Sequence, residues 1–299
     1  MIKGGSVQVD KSVKIAKSAV IKGENITIEE NVEIGENFNC ICARKLHIKK
    51  NTIIKDDVRV FCRELTIGEH NYVLENVWIE GSLNSVYSTV EIGDRNLICQ
   101  WTRINCNEKV KIGSNVGIGQ NVDIWTHGSF MDVLEGYPYV SAPVTIGNNV
   151  WLLARSIVLP GVKIGSNIII GNNSLVNIDV PDGAFCAGIP AKIIKTNEYP
   201  KKLSQSEKDK ITLDIIADYR KLLQYKDFDV DISYREDIIE FKVGGLPGEA
   251  VFDLKNRTIA GTSNKYVEDF RDYLRHRCVK IFTDRPFKAI MPADFEKWL

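Results

Sequence analysis

The chain has 299 residues whose 39 Lys+Arg balance 39 Asp+Glu, so the formal charge is zero and the basic footprint of a nucleic-acid binder is missing. Hydrophobic residues make up 44% and charged residues 26%, a globular mix. No stretch approaches the roughly 20 uninterrupted apolar residues that span a bilayer.

The opening Met1-Ile2-Lys3-Gly4-Gly5-Ser6 lacks the apolar run of a secretory signal, and the seven Cys are an odd number. The expected setting is therefore a reducing cytoplasm, with the cysteines as structural thiols.

From Val9 onward an aliphatic residue returns every six positions, in eight triplets that begin at Val9, Ile28, Ile48, Ile67, Ile92, Ile112, Ile146 and Ile164. Once those first members are chosen, sixteen further sites are fixed; fifteen are Ile, Leu or Val, and Cys40 is the exception. No helical period produces a beat of six. Asn follows three residues later at Asn31, Asn37, Asn51, Asn115, Asn121, Asn149, Asn167 and Asn173, and it tolerates the left-handed backbone of a tight corner. The sequence thus predicts an all-β main domain of about eight coils. Its short parallel strands stack about 4.8 Å apart in a triangular prism, with one aliphatic side chain per face filling the axis.

Intervals between the first members are 19, 20, 19, 25, 20, 34 and 18, which leaves insertions of 1, 2, 1, 7, 2, 16 and 0 residues beyond three hexapeptides. All fall at one corner. The two large ones, around Gly81 to Glu91 and His127 to Pro143, project from the same edge roughly 10 Å apart. Clustered insertions of this kind commonly mark a solenoid's binding surface.

The six-residue signal stops after Pro190, so the chain is divided into 1–199, the β-helix, and 200–299, a small α+β appendage. Ser204 and Glu207 form a capping box for a helix to about Gln224, with Ile211, Ile215, Ile216, Tyr219, Leu222 and Leu223 as its apolar stripe. Strands are expected at Ile238 to Val243 and Ala250 to Leu254, a second helix at Asn264 to Arg277, and a last strand at Val279 to Phe282.

The segments Val144-Thr145-Ile146-Gly147-Asn148-Asn149-Val150-Trp151-Leu152, Val158-Leu159-Pro160-Gly161-Val162-Lys163-Ile164-Gly165, Ile170-Gly171-Asn172-Asn173-Ser174-Leu175-Val176 and Ala187-Gly188-Ile189-Pro190-Ala191-Lys192 resemble the hexapeptide-repeat acyltransferases. The branch they are most similar to comprises the maltose, galactoside and xenobiotic O-acetyltransferases. That resemblance implies a left-handed helix, a homotrimer with active sites between neighbouring prisms, and acetyl-CoA along the C-terminal coils. Packing prism against prism also supplies burial that so narrow an axis lacks.

The resemblance implies a role for His127, in Ile124-Trp125-Thr126-His127-Gly128, as the general base that takes a proton from the acceptor hydroxyl. Neutral imidazole suits that task, and transfer is direct, without an acyl-enzyme. A structural His that tops a coil is the alternative. Metal is not expected, since His47 and His70 lie several coils below and His276 lies outside the repeat.

At the position of Ala154 the family offers a backbone N–H to the oxyanion, so Ala there suffices. Trp151 either walls the site or packs in a trimer interface. The family's cofactor contacts carry over onto Asn172, Asn177, Ile178, Lys192 and Lys195, the lysines toward phosphates. The family's acceptor carboxylate falls at Asn107 and a polar contact at Cys99, so the acceptor pocket departs from the simple galactoside pattern. Trp101, Arg103, Tyr137 and Tyr139 are the remaining acceptor-side candidates, with Tyr87 fainter. The expected activity is acetyl-CoA-dependent O-acetylation of a saccharide hydroxyl, such as that of a surface polysaccharide. Transfer to an amino sugar or an antibiotic, and a non-catalytic scaffold, are the alternatives.

Overall fold

The computed structural model describes residues 1–226, 229–244 and 249–283. Two compact units part in sequence between Lys201 and Lys202.

The first unit is a parallel β-helix whose aliphatic triplets stack turn on turn. Ile92 pairs with Ile112 on the first face, Ile118 with Leu152 on the second, and Ile104 with Ile124 on the third. From Ile21 to Val176 these triplet residues are buried. The helix outruns the eight triplets: Ile2 pairs with Ile21 before the first, and Val180 and Cys186 pair with Ile164 and Ile170 after the last, giving about nine turns.

The expectation of one inward side chain per face is corrected. Strand side chains alternate with period two, so each face also turns inward the residue two before the aliphatic one. Val32, Phe38, Val58, Val116 and Val122 fill that position in some turns, and Thr52, Asn71, Asn96, Thr102 and Ser174 in others. The polar residues are satisfied by corner carbonyls: Thr52 Oγ1 donates to Gly68 O at 2.9 Å, Asn71 Nδ2 to Gly93 O at 2.8 Å and Asn96 Nδ2 to Gly113 O at 3.0 Å. Their burial therefore leaves no donor unmet, whereas Ser156 Oγ, at the same inward position two residues before Val158, has no hydrogen-bond partner among the described residues.

The eight corner Asn all hold φ between 55° and 60°. His70 and Arg95 take the same backbone at the first corner, between the first and second faces; Asp57, Asn76, Trp101 and Arg155 take it at the second corner, between the second and third faces. The third corner, which leads to the next turn, behaves differently. In early turns it has no break: Val20–Ile28, Asn39–Ile48 and Arg59–Ile67 each run through it as one strand. The extra space holds a column of thiols. Cys42 Sγ lies 3.7 Å from Cys40 Sγ and 3.8 Å from Cys62 Sγ, and Cys106 Sγ lies 3.9 Å from Ser88 Oγ. A hydrogen bond to Cys62, followed by burial, pushes the Cys106 thiol well up, in keeping with an inert structural role.

The second unit is α+β. Helix α1 (Gln205–Lys226) starts with the expected capping box: Ser204 N donates to Glu207 Oε2 at 2.8 Å, and Glu207 N to Ser204 Oγ at 3.3 Å. Its buried stripe is Thr212, Ile216 and Tyr219, whereas Ile211 and Leu222 point to solvent, contrary to the expected stripe. A four-stranded antiparallel meander follows, Val230–Arg235, Ile238–Val243, Glu249–Asp253 and Thr258–Gly261, and then helix α2 (Lys265–His276). The strand expected at Val279 to Phe282 does not form. That segment is irregular; Phe282 N donates to Arg257 O at 2.6 Å, while Val279 and Ile281 lean on the unit's core. Among the described residues no helix is long and apolar enough to cross a membrane.

Candidate active site

His127 stands where the sixth complete turn ends and the chain leaves the prism. Thr126 before it is fully buried, and its carbonyl accepts from Ala142 N at 2.9 Å. His127 and Gly128 pair antiparallel with Ser141 and Val140, so the long insertion is a hairpin with the imidazole at its base. Ser141 Oγ donates to Glu108 Oε1 at 2.9 Å, and Glu108 N to Thr126 Oγ1 at 3.1 Å, pinning that base to the turn below.

The imidazole is half-buried, and its hydrogen bonds select a tautomer. Nδ1 lies 3.0 Å from Asn105 Oδ1, an oxygen that also accepts from Thr126 Oγ1 at 2.8 Å and from Thr126 N at 3.3 Å. Three donors converge on that atom, so Nδ1 carries the proton and Nε2 keeps its lone pair. Asn107 Nδ2 sits 3.2 Å from the same Nδ1. A protonated Nδ1 has no lone pair to accept an amide N–H, so the Asn107 amide is better turned with its oxygen toward the ring. Asn107, expected on the acceptor side, thus lies against the imidazole. Asn105 was not singled out by the sequence; its signal was the alternation of Asn105 and Asn107 on the outward side of the strand after Ile104.

Ala154 occupies the second corner of the next turn, followed by Arg155 at φ 61°. Gly119, one turn below, lies so close that a Cβ there would sit 2.7 Å from Ala154 N. The Ala154 N–H has no acceptor among the described residues. Asn173 N donates to Ala154 O at 3.1 Å, which sets Asn172 beside this corner one turn higher. Trp151 lies on the outer second face with its ring over Gly117. Lys192 and Lys195 lie on the closing antiparallel strand of the same face, opposite Ala187 and Phe185. Lys195 pairs with Glu198 at 3.2 Å, while Lys192 is exposed with no ion-pair partner among the described residues. Asn177 and Ile178 instead follow Val176 at the third corner, above His127. Tyr137 and Tyr139 are exposed on the hairpin, Tyr87 is exposed on the shorter insertion, and Cys99 is half-buried.

One chain therefore gathers the candidates into two groups on either side of its third face. His127, Asn105, Asn107, Asn177 and Ile178 stand at the third corner; Trp151, Ala154, Asn172 and Lys192 belong to the second corner and second face. Trp101 stands at the second corner below Ala154, and Arg103 lies on the third face between the two groups. The other histidines have local partners: His47 Nε2 lies 2.7 Å from Glu29 Oε1, His70 Nε2 lies 3.3 Å from Asn51 Nδ2, and His276 Nδ1 lies 2.9 Å from Asp272 O.

Residues 143–177 match the family model of the bacterial transferase hexapeptide (six repeats). The chain is 35% identical over 125 residues to the galactoside O-acetyltransferase of Escherichia coli K12, which is 40% of this chain and 61% of that one. It is 38% identical over 106 residues to the galactoside O-acetyltransferase of Lactococcus lactis, covering 32% of this chain and 51% of the relative. The match thus spans less than two thirds of either relative. The crystal structure of a UDP-N-acetylglucosamine acyltransferase shares the fold, with a TM-score of 0.52 and 21% identity over 69% of this chain and 76% of that one. With its six-residue repeat, its stacked triangular turns and these similarities, the chain's β-helix resembles the hexapeptide-repeat acetyltransferases over the matched residues.

Proposed function

We propose that this protein transfers the acetyl group of acetyl-CoA to a saccharide hydroxyl, with His127 as general base, in a cleft completed by a second copy of the chain within a homotrimer. The observation that carries the reading is the 3.0 Å contact of His127 Nδ1 with Asn105 Oδ1: an acceptor there favours Nδ1–H, which leaves Nε2 to accept a proton. The names of the two galactoside O-acetyltransferases support the acetyl donor and the sugar acceptor. The separation of the candidates into two groups supports the second copy, since one chain holds the base and the Ala154 N–H on different corners. Unbridged cysteines, most of them buried, favour a reducing cytoplasm.

The acceptor hydroxyl gives its proton to Nε2 as its oxygen attacks the thioester carbonyl carbon. Charge gathers on the carbonyl oxygen, where the Ala154 N–H of the neighbouring copy donates. Collapse breaks the C–S bond, and the imidazolium returns the proton to the departing thiolate, so no acyl-enzyme forms. Asn172, Asn177, Ile178 and Lys192 would line the coenzyme, with Lys192 free to meet a phosphate; Lys195 must first leave Glu198. Trp151 offers a flat apolar wall on the same face.

The test uses the full chain, acetyl-CoA and a panel of mono- and oligosaccharides, with CoA release as the readout. His127→Ala is expected to lower kcat about a hundredfold or more without changing the sedimentation coefficient, and a loss smaller than about threefold overturns the assignment.

A further inference from the structure

The column of side chains at the second corner changes character on its way up. Its successive rungs are Asp56, Glu75, Gln100, Gln120, Ala154 and Asn172, each two residues after an aliphatic residue of the second-face stack Ile54, Val73, Ile98, Ile118, Leu152 and Ile170. Carboxylates give way to two amides, and the amides to the methyl group of Ala154. The lower carboxylates serve the backbone, as where Asp56 Oδ1 accepts from Glu36 N at 2.7 Å. The amides bond along the column instead: Gln100 Nε2 donates to Glu75 Oε2 at 3.2 Å, and Gln120 Nε2 donates to Gln100 Oε1 at 3.1 Å.

The foot of this chain fixes its direction. A carboxylate only accepts, so Gln100 turns its NH2 down to Glu75 and its oxygen up; that oxygen only accepts, so Gln120 also turns its NH2 down. What remains at the top is Gln120 Oε1, an acceptor that receives no hydrogen bond from any described residue. Gln120 is exposed on the single chain, and Ala154 above it has no side chain beyond Cβ to cover it. Arg155 N donates to Gln120 O at 2.9 Å, which ties the two corners together one rung apart, roughly 4.8 Å.

That rung is the one next to the proposed oxyanion donor. Asn172 and Lys192, the coenzyme candidates, lie above Ala154, and they leave the side below it, that of Gln120, for the acceptor ring. A sugar whose reacting hydroxyl stands between Nε2 of one copy and the thioester at Ala154 of the next therefore sets its other hydroxyls toward Gln120.

We propose that Gln120 selects the acceptor: its Oε1, oriented from Glu75 through Gln100, accepts a hydrogen bond from a ring hydroxyl other than the one that is acetylated. This rests on the saccharide acceptor and the shared cleft proposed above. An acceptor held in one direction and closed off from water discriminates strongly against a ring that lacks the matching O–H, because its own lone pair is then left unpaired. Gln120 thus touches the acceptor, and Glu75 and Gln100 are positioning residues.

Acetyl transfer is measured with the full chain on methyl galactoside, methyl glucoside and N-acetylglucosamine, and then on the singly deoxygenated and singly fluorinated derivatives of the accepted sugar. Wild type is expected to lose about tenfold or more in kcat/KM when one hydroxyl, not the acetylated one, is replaced by hydrogen or by fluorine. Gln120→Met keeps the length and removes the acceptor, so the parent sugar should fall to about the level of that derivative, with the KM for acetyl-CoA little changed. Glu75→Gln lets the chain run in either direction and should lower the ratio of parent to derivative by about half. A ratio unmoved by Gln120→Met, or a wild type indifferent to every such replacement, overturns the proposal while leaving the transfer activity standing. A ratio unmoved by Glu75→Gln overturns the orientation from below. A Gln120→Met chain with a raised KM for acetyl-CoA, or with a changed oligomeric state on sedimentation, assigns the side chain to the coenzyme or to the seam between copies and also overturns it. No transfer to any sugar by wild type, with acetyl-CoA still bound, removes the saccharide reading and this contact together.

Discussion

The early and late turns of the prism solve the same corner in two ways. Through Ile67 the third corner adds one or two residues, an unbroken strand crosses it, and Cys40, Cys42 and Cys62 fill the space inside. Above Ile67 the same corner releases insertions of 7 and 16 residues, strands shorten to a few residues, and Arg95, Trp101 and Arg155 replace Asn at the other corners. The aliphatic axis is the same in both regions. Stability therefore resides in the rhythm the two regions share, and the candidate site lies in the upper region, where more corners depart from Asn.

Truncating the shared axis should cost alike in both regions. Ile48→Ala and Ile118→Ala, each at a fully buried site, are expected to lower unfolding free energy by about 2–5 kcal/mol in chemical denaturation. A loss below 1 kcal/mol, on the order of a surface change, in one region only would break the comparison.

The upper region should respond selectively at the base. Asn105→Leu removes the acceptor that fixes the Nδ1–H tautomer and should lower kcat about tenfold or more, with the KM for acetyl-CoA little changed. Asn105→Asp keeps an acceptor and adds a negative charge beside the ring, which favours imidazolium. In the proposed mechanism the neutral ring is the active form, so the acid limb of the kcat profile should move to higher pH; an unmoved limb would contradict the positioning role.

The lower region should respond only in packing. Cys62→Ser places a hydroxyl among buried thiols and is expected to cost about 1–3 kcal/mol of stability with kcat unchanged. In the native protein a thiol reagent followed by mass spectrometry should modify exposed Cys278 well before Cys42, Cys62 or Cys106.

The smallest effect is expected at Asp123, whose carboxyl pKa burial raises in the folded chain. A raised folded pKa means the folded state holds its proton to higher pH, so this group's contribution to stability is present at acid pH and is lost as pH rises through the folded value. Asp123→Asn should flatten that part of the stability profile, and an unchanged profile would remove the group from the balance.

Much of the prism was legible because an axis three side chains wide admits few residue types, so Ile98, Ile118 and Leu152 announce themselves. The corners were legible where Asn holds them. They were not at His70, Arg95 or Trp101, because those residue types do not advertise a left-handed backbone. The second inward position was hidden by Thr52, Asn71 and Asn96, polar residues whose burial depends on carbonyls one turn away. In the appendage, Ile238–Val243 was readable from alternation alone, whereas Val279 to Phe282 has a similar alternation and yet is irregular. At the candidate site, His127 was singled out from its motif, and Asn105 was not, because its partner is a ring nitrogen 22 residues away in sequence.

The central claim is that neither corner acts alone. Ala154→Pro removes the N–H at a turn position that Pro160 occupies elsewhere in this chain, so the corner should survive. His127→Ala and Ala154→Pro chains, each nearly inactive, are to be co-assembled in equal amounts and assayed for acetyl transfer. If the base and the oxyanion donor come from different copies, random mixing restores about one quarter of the sites, and activity rises to about that fraction of wild type. Activity no higher than the average of the two separate variants would mean that both groups serve within one chain, and would contradict the account.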